Sequence, residues 1–278
     1  MTRRLRAAGY WAGMCAIVAL AAACESDSIG PTQLQGERIY AVDASNNLVL
    51  FGSQSAGTPT RRTAITGIAA GERIEGIDFR PADGRLYALG SSSRVYVVDT
   101  LTAVATATGP AFAPALSGSA FGFDFNPVPD RIRTHGSTAQ NLRLNPTNGA
   151  IGAVDGTLRY RAGDAGVGRA YAITGTAYTN SVAGATTTTL YAIDSARDVL
   201  VTLAAPNDGL LSTVGSLGVN TTEDVGFDIF PTTGVAYATF TTTSGVSSLY
   251  TVNLATGAAT LVGELRGVGP IRGIAVVR

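Results

Sequence analysis

Lysine is missing from this chain. Its 278 residues hold 20 basic side chains, all of them arginine, against 20 acidic ones, with a single histidine, His135. Cysteine occurs twice, at Cys15 and Cys24, and tryptophan once, at Trp11. Each scarcity closes a route. A zinc centre built on several imidazoles is excluded. A Ser-His-Asp triad has only His135 to draw on, and no Gly-x-Ser-x-Gly elbow presents a serine to it. Helical periodicity is nearly absent beyond the first two dozen residues. Short runs of Val, Ile, Leu, Tyr and Thr, broken by Gly, Asn, Asp and Pro, fill the chain instead, the pattern of an all-β protein.

Residues 1–23 read as a signal peptide rather than part of the fold. Arg3, Arg4 and Arg6 precede an apolar stretch from Ala7 to Ala23. Leu20-Ala21-Ala22-Ala23-Cys24 resembles a bacterial lipoprotein signal, with the leucine one place further from the cysteine than is usual. The resemblance implies cleavage before Cys24 and lipidation of that residue. It places the protein in the bacterial cell envelope, outside the cytoplasm and anchored to the membrane. An ordinary secretory signal, giving a secreted protein, is the alternative. As a spanning helix the run is marginal in length. Cleavage leaves one cysteine, so no disulfide and no thiol chemistry. It also removes three arginines, leaving 17 basic against 20 acidic side chains, a net charge near −3. Such a surface has no general attraction for nucleic acid. Residues 24–36 read as the lipidated cysteine and a flexible tether, and 37–278 as one folded domain.

One phrase recurs in that domain. It reads Gly76-Ile77-Asp78-Phe79-Arg80-Pro81, Gly122-Phe123-Asp124-Phe125-Asn126-Pro127 and Gly226-Phe227-Asp228-Ile229-Phe230-Pro231. Each copy opens a run of four short strands separated by tight turns. Gly175-Thr176-Ala177-Tyr178 occupies the same place in a weaker copy, and Gly273-Ile274-Ala275-Val276 looks like a first strand with nothing after it. Residues 38–66 supply second, third and fourth strands with nothing before them. The phrase glycines are 46, 53, 51 and 47 residues apart, the spacing of propeller blades. The expected fold is a five-bladed β-propeller of four-stranded antiparallel blades, the last blade closed by the N- and C-terminal strands. A β-sandwich is the competing fold, and it demands neither the long period nor complementary termini.

Ile39-Tyr40-Ala41-Val42, the first two Asp phrases, Leu86-Tyr87-Ala88-Leu89, Asp130-Arg131-Ile132-Arg133 and Asn141-Leu142-Arg143-Leu144-Asn145-Pro146 together resemble the bacterial family called domain of unknown function 4394. The resemblance implies secreted or surface-attached propeller-like proteins and carries no catalytic or binding residues.

Asp78, Asp124 and Asp228 share one repeat position. They can form a ring of carboxylates for Ca²⁺, or accept backbone N–H groups in their own blades' turns. Because the position belongs to the repeat, the structural role is favoured, and no metal or other cofactor is expected. The phrase glycines, Gly76, Gly122 and Gly226, read as positions of close sheet packing. His135 is expected in a loop between the second and third strands of its blade. The long connection 157–170, with Arg159, Tyr160, Arg161 and Asp164, is expected on the same face, near the channel mouth. There these groups suit a carboxylate or a sugar. Glu75 and Arg272 are expected to pair where the ring closes.

The reading that follows is a lipid-anchored binding module with no assigned catalytic residues. Its partners would be the membrane through the anchor, and an envelope protein, a glycan or a small anionic ligand. A glycan-directed hydrolase is the enzyme alternative, and it needs two carboxylates about 5–10 Å apart in a cleft. A purely structural envelope protein is the third.

Overall fold

The computed structural model describes residues 1–2 and 34–278. The expected signal from residue 3 onward, Cys24 and the tether to residue 33 lie outside them. Among the described residues there are five sheets and, apart from one short 3-10 turn at Pro206–Asp208, no helix. Blade I comprises β4 (Ile74–Phe79), β5 (Leu86–Gly90), β6 (Arg94–Val98) and β7 (Ala105–Ala107). Blade II comprises β8 (Phe121–Asn126), β9 (Arg131–Gly136), β10 (Asn141–Leu144) and β11 (Ile151–Val154). Blade III comprises β13 (Ile173–Tyr178), β14 (Leu190–Asp194), β15 (Val199–Leu203) and β16 (Leu210–Ser216), with β12 (Arg159–Tyr160) added in parallel on its outer edge. Blade IV comprises β17 (Val225–Ile229), β18 (Ala236–Thr241), β19 (Ser247–Val252) and β20 (Ala259–Glu264). Blade V joins the two ends of the domain: β21 (Ile271–Val276) lies inside β1 (Arg38–Asp43), β2 (Asn47–Gly52) and β3 (Arg61–Ala64). The five-bladed propeller and its shared last blade are as the repeat indicates.

Burial falls from axis to rim. β4 and β13 are buried at every residue, because a neighbouring blade covers each face. The outer strands β3, β11 and β20 alternate with solvent. The turn after each inner strand needs a left-handed residue. Gly84 (φ 69°) and Gly234 (φ 74°) supply it, and in blade II Asp130 (φ 52°) does.

The phrase glycines set the spacing of the ring. A Cβ on Gly76 would stand 2.7 Å from Phe123 Cβ, and one on Gly122 would stand 2.7 Å from Thr176 Cβ. On Gly175 it would meet Phe227 Cβ at 3.0 Å, on Gly226 the Ile274 nitrogen at 2.9 Å, and on Gly273 the Ile77 nitrogen at 3.0 Å. Each glycine therefore faces the residue after the next blade's glycine, around the whole circle. The five inner strands approach so closely that only hydrogen fits between them. The axial void they leave measures about 10 Å³, at most the room of one water.

Closure is made by backbone pairing. Ile39, Tyr40, Ala41 and Val42 of β1 stand opposite Val276, Ala275, Ile274 and Gly273 of β21. At this seam Arg272 Nε lies 4.0 Å from Glu75 and 3.7 Å from Asp224, while Arg73 holds Glu75 at 3.0 Å. The expected Glu75–Arg272 approach is therefore present, as one contact within a wider charge network.

Four blade interfaces are apolar. Clusters of buried side chains join blade V to I, I to II, III to IV and IV to V. The fifth cluster is different: it combines blade III with Leu158 and Tyr160 and holds no residue of the strands of blade II, with only Ala139 of the β9–β10 turn packed against it. The interface between blades II and III is made of polar groups instead.

Candidate functional site

The polar seam comes from two departures from the repeat, both on β9. Opposite the third phrase residue, four blades place tyrosine: Tyr40, Tyr87, Tyr191 and Tyr237. Tyr40 packs edge-on against Phe79 and Tyr87 against Phe125, each across to the next blade. Blade II has Arg133 there, opposite Asp124. Opposite the phrase glycine, the other blades place Val42, Leu89, Ile193 and, in blade IV, Thr239. Blade II has His135, opposite Gly122.

Arg133 is 1% exposed, and each of its three guanidinium nitrogens has a partner. Nε donates to the Tyr178 hydroxyl at 2.9 Å, Nη1 to Asn141 Oδ1 at 2.6 Å and Asp155 Oδ2 at 2.8 Å, and Nη2 to Asn207 Oδ1 at 2.7 Å. Asp155 also takes Arg143 Nε at 2.8 Å and Nη2 at 2.9 Å. A buried cation survives only when paired and hydrogen-bonded, and this one has an ion pair with Asp155 and a partner at every nitrogen. Arg133, Arg143, Tyr178 and Asn207 of this network line a cleft of about 720 Å³ between blades II and III, with Asn141 and Asp155 behind them. Thr186–Thr189, in the β13–β14 connection, and residues 202–207 border its other side. The volume is in the range of small-molecule sites.

His135 sits on β9, not in the expected loop. Gly122 opposite leaves room for its ring, and the strand continues to Gly136. It is fully buried, and Nδ1 lies 2.9 Å from Thr176 Oγ1 while Nε2 has no partner. Burial, helped by the nearby Arg133 charge, pushes its pKa down to about 3, so the ring is neutral at ordinary pH.

The segment expected at the channel mouth runs along the rim. Leu158 and Tyr160 cover the apolar face of blade III to which the strands of blade II add no apolar side chain. β12 lies four strands out from β13, roughly 19 Å at the usual strand spacing. Arg159 donates to the Thr157 and Asp208 carbonyls. The Tyr160 hydroxyl donates to Asp194 at 2.6 Å, under the Arg197 guanidinium. Asp164 accepts the Thr213 amide at 2.8 Å and its hydroxyl at 2.7 Å, and Arg161 is exposed. The structure does not bring these four residues together with His135, and neither they nor His135 line the cleft.

The three aspartates do meet, with carboxylate oxygens within 4.8 Å of one another and all three side chains buried. Asp78 accepts the amides of Phe79 (2.6 Å) and Phe125 (2.8 Å), and Asp124 that of Tyr178 (3.1 Å). Asp228 accepts those of Ile229 and Val276, both at 2.6 Å. Every Asp therefore reaches the next blade's inner strand, rather than a turn of its own blade as expected. Arg278 hydrogen-bonds the Phe79 carbonyl and Ser181, and its charge acts on all three carboxylates. Burial, with mutual repulsion, holds Asp78 and Asp124 well above the usual carboxylate range, and burial pushes Asp228 up to about 6. Five of the six oxygens already hold amides. A Ca²⁺ ion takes six to eight oxygen ligands, so the trio serves first as a set of inter-blade ties.

Comparison with known proteins places this geometry among others of its shape. A family model described as Domain of unknown function (DUF4394) matches residues 47–275. No curated protein matches. Among solved structures, an engineered GH43 glycoside hydrolase with endo-xylanase and exo-arabinofuranosidase activity superposes with a TM-score of 0.52 at 10% identity, over 85% of this chain and 52% of that one. A Bacteroides thetaiotaomicron protein of unknown function gives 0.48 at 14% identity, over 86% and 63%. The dihydro-heme d1 dehydrogenase NirN gives 0.40 at 13%, over 86% and 47%. This chain thus spans about half to two thirds of the length of these proteins, and the likeness is one of fold alone.

Proposed function

The chain belongs to the family described as Domain of unknown function (DUF4394), and we propose, from the signal-like sequence ending at Cys24 and from the geometry of the folded domain, that it is a lipid-anchored, extracytoplasmic binding module. Its ligand site is the cleft between blades II and III. One observation carries this reading: a single blade interface exchanges its apolar packing for a buried Arg133 network, and a cleft of small-molecule size opens on that network. A scaffold with no ligand gains nothing there from burying a guanidinium in place of the tyrosine used by the other four blades. Hydrolysis of a glycoside needs an acid pair, and no carboxylate lines the cleft: Asp155, behind Arg133 and Arg143, has both oxygens held by arginine.

Two measurements test the proposal. Thr187 is exposed on the cleft's border, so Thr187→Trp fills the opening without disturbing the core. On an array of glycans and small anionic metabolites, ligands of the purified protein are expected to disappear with this variant. Ligands retained in full would place the site elsewhere. For the anchor, Cys24→Ala is expected to move the protein from the membrane fraction to the soluble envelope fraction. Unchanged membrane recovery would remove the lipid from the account.

A further inference from the structure

We infer that the cleft takes a singly charged carboxylate carried on a hydroxylated frame, a uronate sugar either free or at the end of a chain. The inference rests on the binding-module reading above. Charge is its first support. Arg133 and Arg143 face the single carboxylate Asp155, so the cleft keeps one positive charge in excess. A monoanion neutralises it, and a doubly charged phosphate leaves one charge uncompensated in a half-enclosed space.

The hydrogen-bond inventory is the second support. Asp155, Asn141 and Asn207 spend their oxygens on the two arginines. The unspent groups are donors. Arg143 uses Nε and Nη2 on Asp155, and its Nη1 has no partner among the described residues. Asn207 uses Oδ1 on Arg133, leaving its amide N–H₂. The Tyr178 hydroxyl accepts from Arg133 Nε, and its own proton has no acceptor among the described residues. A donor-rich wall of this kind, with one guanidinium edge open, is complementary to a carboxylate.

The threonine border gives the third support. Thr186 to Thr189 stand in a row; Thr188 gives its hydroxyl proton to the Thr179 carbonyl, and the hydroxyls of the other three, able to donate and accept, suit a ligand bearing several hydroxyls. A plain fatty carboxylate would make no use of them. Apolar Val128, Pro129 and Leu203 complete the lining, where the C–H face of a sugar ring can lie.

The test is calorimetric titration of the purified protein with galacturonate, glucuronate, their neutral parents galactose and glucose, acetate and trigalacturonate. Uronates are expected to bind at least about tenfold more tightly than the neutral sugars and acetate. Asn207→Asp sets a carboxylate against Arg133, where the 2.7 Å contact already stands, so the fold is kept while the excess charge is cancelled. That variant and Arg143→Met are each expected to weaken uronate binding by about tenfold or more, with thermal midpoints recorded in parallel. Trigalacturonate binding more tightly than the monomer assigns a chain end, and equal binding assigns the free sugar. Neutral sugars binding as well as uronates, uronate affinity unchanged in Asn207→Asp, or no uronate binding would each overturn the inference. Array ligands lost with Thr187→Trp in that event leave the cleft itself standing, whereas uronate binding indifferent to Thr187→Trp overturns both.

Discussion

Deleting residues 273–278 is expected to abolish cooperative folding. These residues hold most of β21, the inner strand of blade V, and Ile274, Ala275 and Val276 are each at most 2% exposed. The deletion strips the backbone partners of β1 and leaves Gly226 facing empty space. Asp228 loses the Val276 amide while remaining buried, which costs about 1–3 kcal/mol for the unsatisfied group alone. Two buried aliphatic side chains add roughly 1.5–3 kcal/mol each. The sum rivals the whole stability of an ordinary domain, about 5–15 kcal/mol. A circular permutant that joins residue 278 to residue 37, with new ends in the loop between β7 and β8, keeps every ladder and is expected to fold. A single-residue version of the same test exists. Gly122→Ala drives a methyl group into Thr176, with no side chain able to yield, and is expected to cost about 3 kcal/mol. Gly263→Ala on β20 meets only Ala56 Cβ at 3.8 Å and is expected to change stability by less than about 0.5 kcal/mol. Urea unfolding reads all four. A truncated chain with the wild-type midpoint would show that the ring does not depend on its seam.

The second large effect is an acid-labile core that one substitution removes. The native His135 ring is neutral down to about pH 3, whereas the unfolded chain's titrates near 6.5. Between those values the unfolded state holds a proton that the folded state refuses. The contribution of His135 is therefore full above pH 6.5 and falls as pH is lowered toward 3, at about 1.36 kcal/mol per pH unit. The aspartate trio runs the other way. Its raised pKa values make its contribution greatest in acid, and it fades as pH rises through the value of about 6 at Asp228. Comparing a variant with the wild type at each pH cancels that shared term. His135→Leu places in blade II the residue blade I uses at Leu89. Relative to wild type, its stability is expected to gain about 3 kcal/mol between pH 7 and pH 4. Denaturant midpoints at pH 7, 5.5 and 4 give the slope. Parallel curves for the two proteins would mean that His135 takes up its proton without hindrance in the fold.

The phrase made the architecture legible because each copy bears the same steric demand. Gly76, Gly122, Gly175, Gly226 and Gly273 have no room for a methyl group, so even the copies that lost Asp kept Gly. The complementary ends were equally readable, as a first strand without successors and three strands without a predecessor. The aspartates' partners were not. Phe125, Tyr178 and Val276 lie 47, 54 and 48 residues beyond the carboxylates they bond, and only the assembled ring brings them near. β12 was hidden because two residues pairing in parallel at a rim leave no periodicity. The cleft did leave a trace. Tyr followed by Ala stands on the second strand of four blades, at Tyr40-Ala41, Tyr87-Ala88, Tyr191-Ala192 and Tyr237-Ala238, and Arg133-Thr134 replaces the pair in the second. Aligning that second strand as closely as the first points to Arg133. Attention to the single histidine pointed to His135, which fills a core position of the repeat, and to the segment 157–170, whose Arg159 ties the rim of blade III while Arg161 is exposed.

Function in this account lies where the repeat is broken, at the seam of blades II and III. Amide and side-chain NMR of the labelled protein, titrated with galacturonate, tests that placement most directly. Saturable shifts are expected at Arg143, Tyr178, Thr186–Thr189 and Asn207, with the axial strands quiet. Shifts centred on Asp78, Asp124, Asp228 and Arg278, or a spectrum that galacturonate leaves unchanged, would contradict it.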